Sequence, residues 1–245
     1  MRTAHVEPTS LIDYPGRVAA VLFTAGCNFR CPFCHNAELV LPEKVCALRL
    51  LNLDEVLAFL AERRGFLDGL VVTGGEPTIQ EDLASLLTEV KRLGLLVKLD
   101  TNGSRPLVFE DLLERELVDY VALDVKAPFE RYPEFAGVEV DLEDIRRSIA
   151  LVRERAPDYE FRTTVAPGLT SDDLQTMAML LPGAKRWFLQ PFVVPEGKAL
   201  VDPRWEHRAA LSRSELGALW RGLSPRFAGG GTRSGLAPQT RHGPL

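Results

Sequence analysis

Cysteine is scarce in this chain, and the placement of its cysteines excludes a disulfide-stabilised fold. The 245 residues include only four, Cys27, Cys31, Cys34 and Cys46, all in the first fifth of the sequence. A disulfide framework is typical of small secreted domains whose cysteines are spread along the chain. Three thiols within eight residues indicate instead the ligands of a metal ion or an iron–sulfur cluster.

Long apolar runs and a strong excess of one charge are also missing. No run approaches the roughly 18–20 apolar residues that span a bilayer, and Glu7 and Asp13 make the N-terminus unlike a signal peptide. A net charge of −5 gives no reason to expect nucleic acid or an anionic membrane as a partner. We therefore expect a cytoplasmic protein that binds neither nucleic acid nor membrane.

Short β-branched runs alternate with amphipathic helical patterns over most of the chain. Strands are predicted at residues 18–24, 69–73, 95–100, 120–124, 160–165 and 186–190, and helices at 53–64, 80–93, 106–116, 141–155 and 171–181. This alternation is typical of a parallel sheet with right-handed crossovers. Six strands fall short of the eight of a closed barrel, so we expect an α/β fold with a partial (β/α)6 TIM-like barrel.

The C-terminal segment differs in composition from the rest of the chain. Residues 224–245 hold five glycines, three prolines and three arginines, with no acidic residue. Such a segment has too little apolar surface to order itself. We expect one domain over residues 1–223 and a disordered tail over residues 224–245; a basic docking tail is the alternative.

Polar or glycine-rich residues directly follow every predicted strand. Parallel α/β barrels gather active-site groups at the C-terminal ends of their strands. The segments at these ends are residues 24–36, 73–77, 100–103, 124–126, 165–168 and 190–192. We therefore expect them to form one continuous site.

The first of these segments carries the pattern C-x₃-C-x₂-C. Three thiolates on one loop can bind three irons of a cubane [4Fe–4S] cluster and leave the fourth iron open to a cofactor. A structural zinc ion needs four ligands, and His35, adjacent to Cys34, is poorly placed to complete such a set. Cys46, 12 residues after Cys34, is an alternative fourth cluster ligand that would make the protein an electron carrier. A thiol without a ligand role is the other interpretation of Cys46.

Taken together, the strand-end motifs resemble those of the radical S-adenosylmethionine (SAM) superfamily, in which Gly-Gly-Glu-Pro, here at 74–77, follows the cysteine motif. Four further segments resemble the glycyl-radical-enzyme activating proteins, above all the family of anaerobic ribonucleoside-triphosphate reductase activating proteins. They are Ser-Leu-Ile-Asp-Tyr-Pro-Gly at 10–16, Cys-His-Asn at 34–36, Asp-Thr-Asn-Gly at 100–103 and Leu-Asp-Val-Lys at 123–126. Pyruvate formate-lyase activating enzyme is similar at the same positions, and the resemblance covers about residues 8–195.

The resemblance implies a barrel of the radical SAM type, a [4Fe–4S] cluster on Cys27, Cys31 and Cys34, and SAM as cofactor. An electron from the reduced cluster would cleave SAM to methionine and a 5′-deoxyadenosyl radical, which abstracts hydrogen from the substrate. In an activating protein, the substrate is a glycine of a partner glycyl radical enzyme, and a flavodoxin- or ferredoxin-type reductant supplies the electron. A cluster with an open iron also implies an anaerobic setting.

The resemblance further implies which residues contact SAM. Gly74 and Gly75 would let the backbone approach its methionine moiety, Glu76 would hold its ammonium group, and Pro77 would fix the turn. The other implied contacts are Phe33 and His35 against the adenine, with Asp100, Asn102, Asp124, Lys126, Arg162 and Gln190 elsewhere in the pocket.

Two comparisons with the pyruvate formate-lyase activator concern the same pocket. Asp100, Thr101 and Asp124 match positions that hold a monovalent cation beside SAM in that activator, and oxygen ligands suit such a hard cation. One position departs from it, because Phe192 is followed by Val193 where the activator has a histidine. The departure weakens the prediction that pyruvate formate-lyase is the partner.

Three functions are compatible with these residues. The favoured one is an activase that generates a glycyl radical on a partner of the anaerobic ribonucleotide reductase or pyruvate formate-lyase type. The second is a radical SAM enzyme that acts on a small molecule such as a pterin, similar to 7-carboxy-7-deazaguanine synthase. The third is a non-catalytic iron–sulfur electron-transfer protein.

Overall fold

The structure, a computed structural model, describes residues 1–233. Within these residues the strands are β1 (Thr3–Ser10), β2 (Ala19–Thr24), β3 (Gly69–Gly74), β4 (Leu96–Thr101), β5 (Tyr120–Asp124), β6 (Tyr159–Val165), β7 (Arg186–Pro191) and β8 (Gly229–Thr232). The helices are α1 (Ala37–Val40), α2 (Pro42–Cys46), α3 (Leu53–Arg63), α4 (Leu83–Arg92), α5 (Pro106–Glu114), α6 (Tyr132–Ala136), α7 (Leu142–Arg155), α8 (Ser171–Leu180) and α9 (Arg213–Leu223).

The strands form one sheet whose spatial order follows the chain from β1 to β8. Strands β2 to β8 are parallel, and β1 adds to β2 in the antiparallel direction. Among the described strands, β1 and β8 lie at opposite ends of the sheet, so the barrel is open. The predicted α/β class and partial barrel are therefore confirmed, although the parallel part has seven strands among the described residues, one more than the predicted (β/α)6 arrangement.

The six predicted strands coincide with β2 to β7 to within one residue at each end, and the five predicted helices correspond to α3, α4, α5, α7 and α8. Two helix starts have a clear local cause, because Asn52 and Thr170 form capping boxes at the beginnings of α3 and α8. In the part of the chain that the structure describes, no helix is long and apolar enough to cross a membrane.

The sequence prediction missed β1 and β8, and the predicted disorder is wrong for residues 224–233. A 3₁₀ turn at Ser224–Arg226 leads into β8, which pairs with β7. The apolar surface that this segment lacks is supplied by an aromatic group, in which Phe227 packs against Trp187 and Trp220 with ring centres 5.4 and 5.9 Å away. The remainder of the predicted tail, residues 234–245, lies outside the described residues.

The strands place apolar side chains toward the helices and charged side chains inside the barrel. Successive side chains of a strand point to opposite faces. In β4, Val97 and Leu99 are fully buried in the large apolar core, whereas Lys98 and Asp100 line an interior cavity. The polar side chains of the sheet therefore line the interior cavity, and its apolar side chains pack against the helices.

Candidate active site

One cavity of about 680 Å³ occupies the inside of the barrel. Its size is that of a cofactor or small-molecule site. Every predicted site residue except Pro77 lines it: Cys27, Cys31, Phe33, Cys34, His35, Gly74, Gly75, Glu76, Asp100, Thr101, Asn102, Asp124, Lys126, Arg162 and Gln190. Pro77 is buried in a 3₁₀ turn and does not line the cavity.

The cysteine loop after β2 is held by hydrogen bonds along its length. The guanidinium group of Arg30 donates to the carbonyl oxygens of Cys27 and Phe29 at 2.6 and 2.7 Å. The N–H of Phe29 points at Cys27 Sγ from 3.4 Å, and the N–H of Val201 donates to the carbonyl of Cys34 at 2.9 Å. The loop therefore presents its thiols from a fixed backbone.

Burial strongly disfavours the charged form of these thiols. It raises the pKa of Cys27 to about 12, with the nearby carboxylate of Glu76 adding to the effect. It also raises the pKa of Cys31 to about 12, against the opposing charge of Lys126, and raises that of Cys34. Burial therefore favours the protonated thiols when no cation is bound, and metal binding would release their protons.

The choice between a cluster and a single metal ion depends on how many ligands one ion would need. Within residues 1–233, no group of three or more His, Cys, Asp or Glu side chains is placed to hold one metal ion. A zinc site needs four ligands around one ion, whereas a cubane offers a separate iron to each thiolate. Cys46 is exposed at the end of α2 and is not among the cavity-lining residues, so it is not placed as a fourth ligand.

Gly74 and Gly75 bring the end of β3 against the cysteine loop. A Cβ on Gly74, whose φ is +112°, would lie 2.4 Å from the backbone nitrogen of Thr24. A Cβ on Gly75 would lie 1.9 Å from the carbonyl oxygen of Gly26. The sequence predicted that these glycines admit the methionine moiety of SAM. In the structure, the close contact that requires them is with the chain's own backbone.

Glu76 joins the ends of β3 and β4. Its Oε1 accepts hydrogen bonds from the hydroxyls of Thr78 and Thr101 at 2.6 and 2.8 Å, and its Oε2 accepts from the N–H of Asn102 at 2.7 Å. Burial raises the pKa of this carboxyl, although the hydrogen bonds from Thr78, Asn102 and Thr101 oppose the shift. Oε2, with a single donor, retains capacity to accept from an ammonium group in the cavity.

Arg162 bridges two carboxylates at the strand ends. Its Nε donates to Asp124 Oδ1 at 2.8 Å, and its Nη1 donates to Asp100 Oδ2 at 2.9 Å. The strand register causes this contact, because Arg162 lies opposite Asp124 in the β5–β6 ladder. Lys126 Nζ donates to the second oxygen of Asp124 at 3.1 Å. Although burial opposes ionisation, these cations lower the pKa of Asp124 to about 2, and the pKa of Asp100 is lowered by Arg162 and Lys98.

The predicted adenine contacts sit on one wall of the cavity. Phe33 packs between Phe135 and Trp205, with ring centres 6.3 and 6.2 Å away, so its ring is held by the core. Burial lowers the pKa of His35, which leaves a neutral imidazole at the cavity wall. Val193, where the pyruvate formate-lyase activator has a histidine, also lines the cavity.

Lys98 and Arg233 line the cavity but were not predicted. Lys98 precedes Asp100 by two residues in a predicted strand, so the period of two could have revealed it. Arg233 follows β8, and its guanidinium pairs with the fully buried Glu160 and covers the ring of Phe188, 4.0 Å from its centre. No sequence signal places Arg233, because a glycine run precedes it.

Known proteins are similar to this chain over most of its length. The radical SAM superfamily model matches residues 21–181. The "Putative glycyl-radical enzyme activating enzyme" of Methanocaldococcus jannaschii is 36% identical over 216 residues, 84% of this chain and 85% of the relative. The "Pyruvate formate-lyase-activating enzyme" of Clostridium pasteurianum is 31% identical over 130 residues. These residues are 51% of this chain and 52% of that relative.

Solved structures share the fold at low sequence identity. Streptococcus suis SuiB bound to its precursor peptide SuiA is 13% identical with a TM-score of 0.68, over 87% of this chain and 48% of that one. A domain of pyruvate-formate lyase-activating enzyme from Bacteroides vulgatus is 16% identical with a TM-score of 0.52, over 68% of this chain and 99% of that one. With the family model covering most of the barrel and its motifs around one cavity, this chain belongs to the radical SAM superfamily of enzymes.

Proposed function

We propose that the protein is a radical SAM activase that generates a glycyl radical on a partner enzyme. Membership of the superfamily implies a [4Fe–4S] cluster and SAM. The observation that carries the proposal is a cavity that is lined both by the three cysteines and by the charged strand-end residues. The similarity to the "Putative glycyl-radical enzyme activating enzyme", which covers 84% of this chain and 85% of that relative, supports the choice of substrate.

The residues of the cavity fit both groups. Cys27, Cys31 and Cys34 would hold the cluster, which supplies the electron that cleaves SAM. Lys126, an ammonium group beside Asp124, suits the carboxylate of the methionine moiety, and the remaining acceptor capacity of Glu76 suits its ammonium. The contacts of Glu76 with Thr101 and Asn102 fix that carboxylate at the end of β4, and the backbone N–H of Glu76 donates to the carbonyl oxygen of Gly26, next to the cysteine loop, at 2.9 Å.

The cavity also reaches a surface where a partner could enter. It extends from the cysteine loop to Ile12 and Asp13 in the connection between β1 and β2. Leu11 and Ile12 expose 72% and 66% of their surface there. Exposed apolar side chains beside an open cavity are typical of an interaction site. A glycine-bearing loop of a large partner enzyme is therefore the substrate that we propose.

We propose a partner of the anaerobic ribonucleotide reductase type in preference to one of the pyruvate formate-lyase type. Val193 gives the cavity wall an apolar group where the pyruvate formate-lyase activator has a histidine. A flavodoxin- or ferredoxin-type reductant and a cytoplasmic location remain predictions from the sequence.

Electron paramagnetic resonance tests the proposal directly. The reconstituted enzyme is reduced anaerobically and mixed with SAM and each glycyl radical enzyme encoded near its gene. A glycyl doublet is expected with one partner, and it should vanish when the radical glycine of that partner is replaced by alanine. Absence of the doublet with every partner, from enzyme that cleaves SAM, would refute the activase proposal.

A small-molecule substrate is the second candidate, favoured by one specific similarity. The "7-carboxy-7-deazaguanine synthase" of Hyperthermus butylicus is 36% identical over 99 residues, 40% of this chain. Incubation with a pterin and product analysis by mass spectrometry would reveal a modified pterin if this candidate were correct.

A further inference from the structure

Lys98 is the most buried member of a row of alternating charges that lines the cavity. Its side chain is 2% exposed, and its Nζ lies 2.5 Å from Asp100 Oδ1 and 5.9 Å from the centre of the Tyr120 ring. The row continues from Asp100 through Arg162 to Asp124 and Lys126. A buried ammonium group is stable only when it is paired, so Lys98 and Asp100 depend on each other.

The monovalent cation that the resemblance implies does not fit this arrangement. Each of the four carboxylate oxygens of Asp100 and Asp124 already accepts a hydrogen bond from an ammonium or guanidinium group of the chain, so a metal ion bound to these oxygens would lie close to a positive charge. The hydroxyl of Thr101 donates to Glu76 at 2.8 Å and accepts from the N–H of Gly103 at 3.1 Å.

The charge of the row also disfavours a further cation. Its three cations, Lys98, Arg162 and Lys126, outnumber its two anions, Asp100 and Asp124, by one. Another positive ion at these two carboxylates would lie close to the cations that already pair with them, in a poorly solvated site where repulsion is strong. An anionic group, such as a carboxylate, suits the site better.

We propose that Lys98, together with Arg162, takes the place of the monovalent cation, so that SAM binding by this chain needs neither K⁺ nor Na⁺. Lys98 is then a positioning residue that fixes Asp100 and, through Arg162, the orientation of Asp124 beside Lys126. The proposal rests on SAM binding, which the superfamily implies, and is independent of the partner enzyme.

Calorimetric titration of SAM into the reconstituted, unreduced protein measures affinity without turnover. The titrations use KCl, NaCl and tetramethylammonium chloride at one ionic strength, since the tetramethylammonium ion is too large for a site between carboxylates. The wild-type Kd should be the same in all three salts. Lys91→Met is the matched control, because Lys91 pairs with Asp119 outside the cavity at 2.7 Å and its loss should leave SAM binding unchanged.

Lys98→Met should weaken SAM binding about tenfold in tetramethylammonium chloride, the scale of one charged hydrogen bond. KCl should restore most of the affinity, because K⁺ can enter the space left beside Asp100. The double variant Lys98→Met/Asp100→Asn should lose this response to K⁺.

Two results would overturn the proposal. The first is a wild-type affinity that rises about tenfold in KCl over tetramethylammonium chloride, a measurement that requires no variant to fold. The second is a Lys98→Met variant that binds SAM with the same Kd in both salts.

Discussion

Replacing Gly75 with alanine tests whether the contact between β3 and the cysteine loop holds the site together. The new Cβ would lie 1.9 Å from the carbonyl oxygen of Gly26 and 3.1 Å from that of Leu39. Both are backbone atoms, so the strand end and the loop must separate, which breaks the 2.9 Å hydrogen bond from the N–H of Glu76 to Gly26. Overpacking costs about 1–3 kcal/mol and the lost hydrogen bond about 1 kcal/mol. The free energy of unfolding should therefore fall by about 2–4 kcal/mol.

Calorimetry of the cluster-free protein measures this loss. At about 2–4 °C per kcal/mol for a chain of this size, the Tm of Gly75→Ala should fall by about 4–16 °C. Gly65→Ala is the control, because nothing lies within 4 Å of a Cβ there, and its Tm should change by no more than about 2 °C. After reconstitution, Gly75→Ala should also bind less iron per chain. Equal Tm and equal iron content in the two variants would refute the reasoning.

Three further changes test other parts of the structure. Arg233→Met should lower the free energy of unfolding by about 3 kcal/mol, because the buried carboxylate of Glu160 loses its guanidinium partner; urea unfolding at the wild-type midpoint would contradict this. The pKa of Asp124 is lowered to about 2 in the folded protein, whereas the pKa of an aspartate in an unfolded chain is about 4. The charge of Asp124 therefore stabilises the fold by about 2 kcal/mol at pH values above about 4. This stabilisation is lost as the pH falls from about 4 through about 2. Over that pH range the Tm of Asp124→Asn should therefore fall less steeply than the Tm of the wild type, and an equal fall of the two Tm values would contradict the prediction. Cys46→Ala should retain the wild-type iron content after reconstitution whereas Cys31→Ala should not, and iron loss from Cys46→Ala would make Cys46 a ligand.

The strands from β2 to β7 could be predicted because each is a short apolar run that ends in polar or glycine-rich residues. The rule that parallel barrels gather these ends at one edge then placed the motif residues together. Asp124 and Arg162 illustrate it, since they are opposite each other in the ladder and meet at the cavity.

The rest depends on contacts that are distant in sequence. The Gly-Gly-Gly-Thr run of β8 has low strand propensity, and its pairing relies on the packing of Trp220 and Phe227 against Trp187. The need for glycine at position 75 likewise comes from the cysteine loop, which lies far from Gly75 in the sequence but contacts it in the fold. The Gly-Gly-Glu-Pro motif identifies Gly75 in the sequence. Its contact with the carbonyl oxygen of Gly26 is visible only in the tertiary structure.

Formation of 5′-deoxyadenosine tests the central claim most directly. The cluster is reconstituted anaerobically and reduced with dithionite, SAM is added, and the nucleoside is measured by chromatography. We predict that the wild type and Cys46→Ala form 5′-deoxyadenosine, and that Cys27→Ala, Cys31→Ala and Cys34→Ala do not. No nucleoside from wild-type protein with a verified intact cluster would contradict radical SAM chemistry in this cavity.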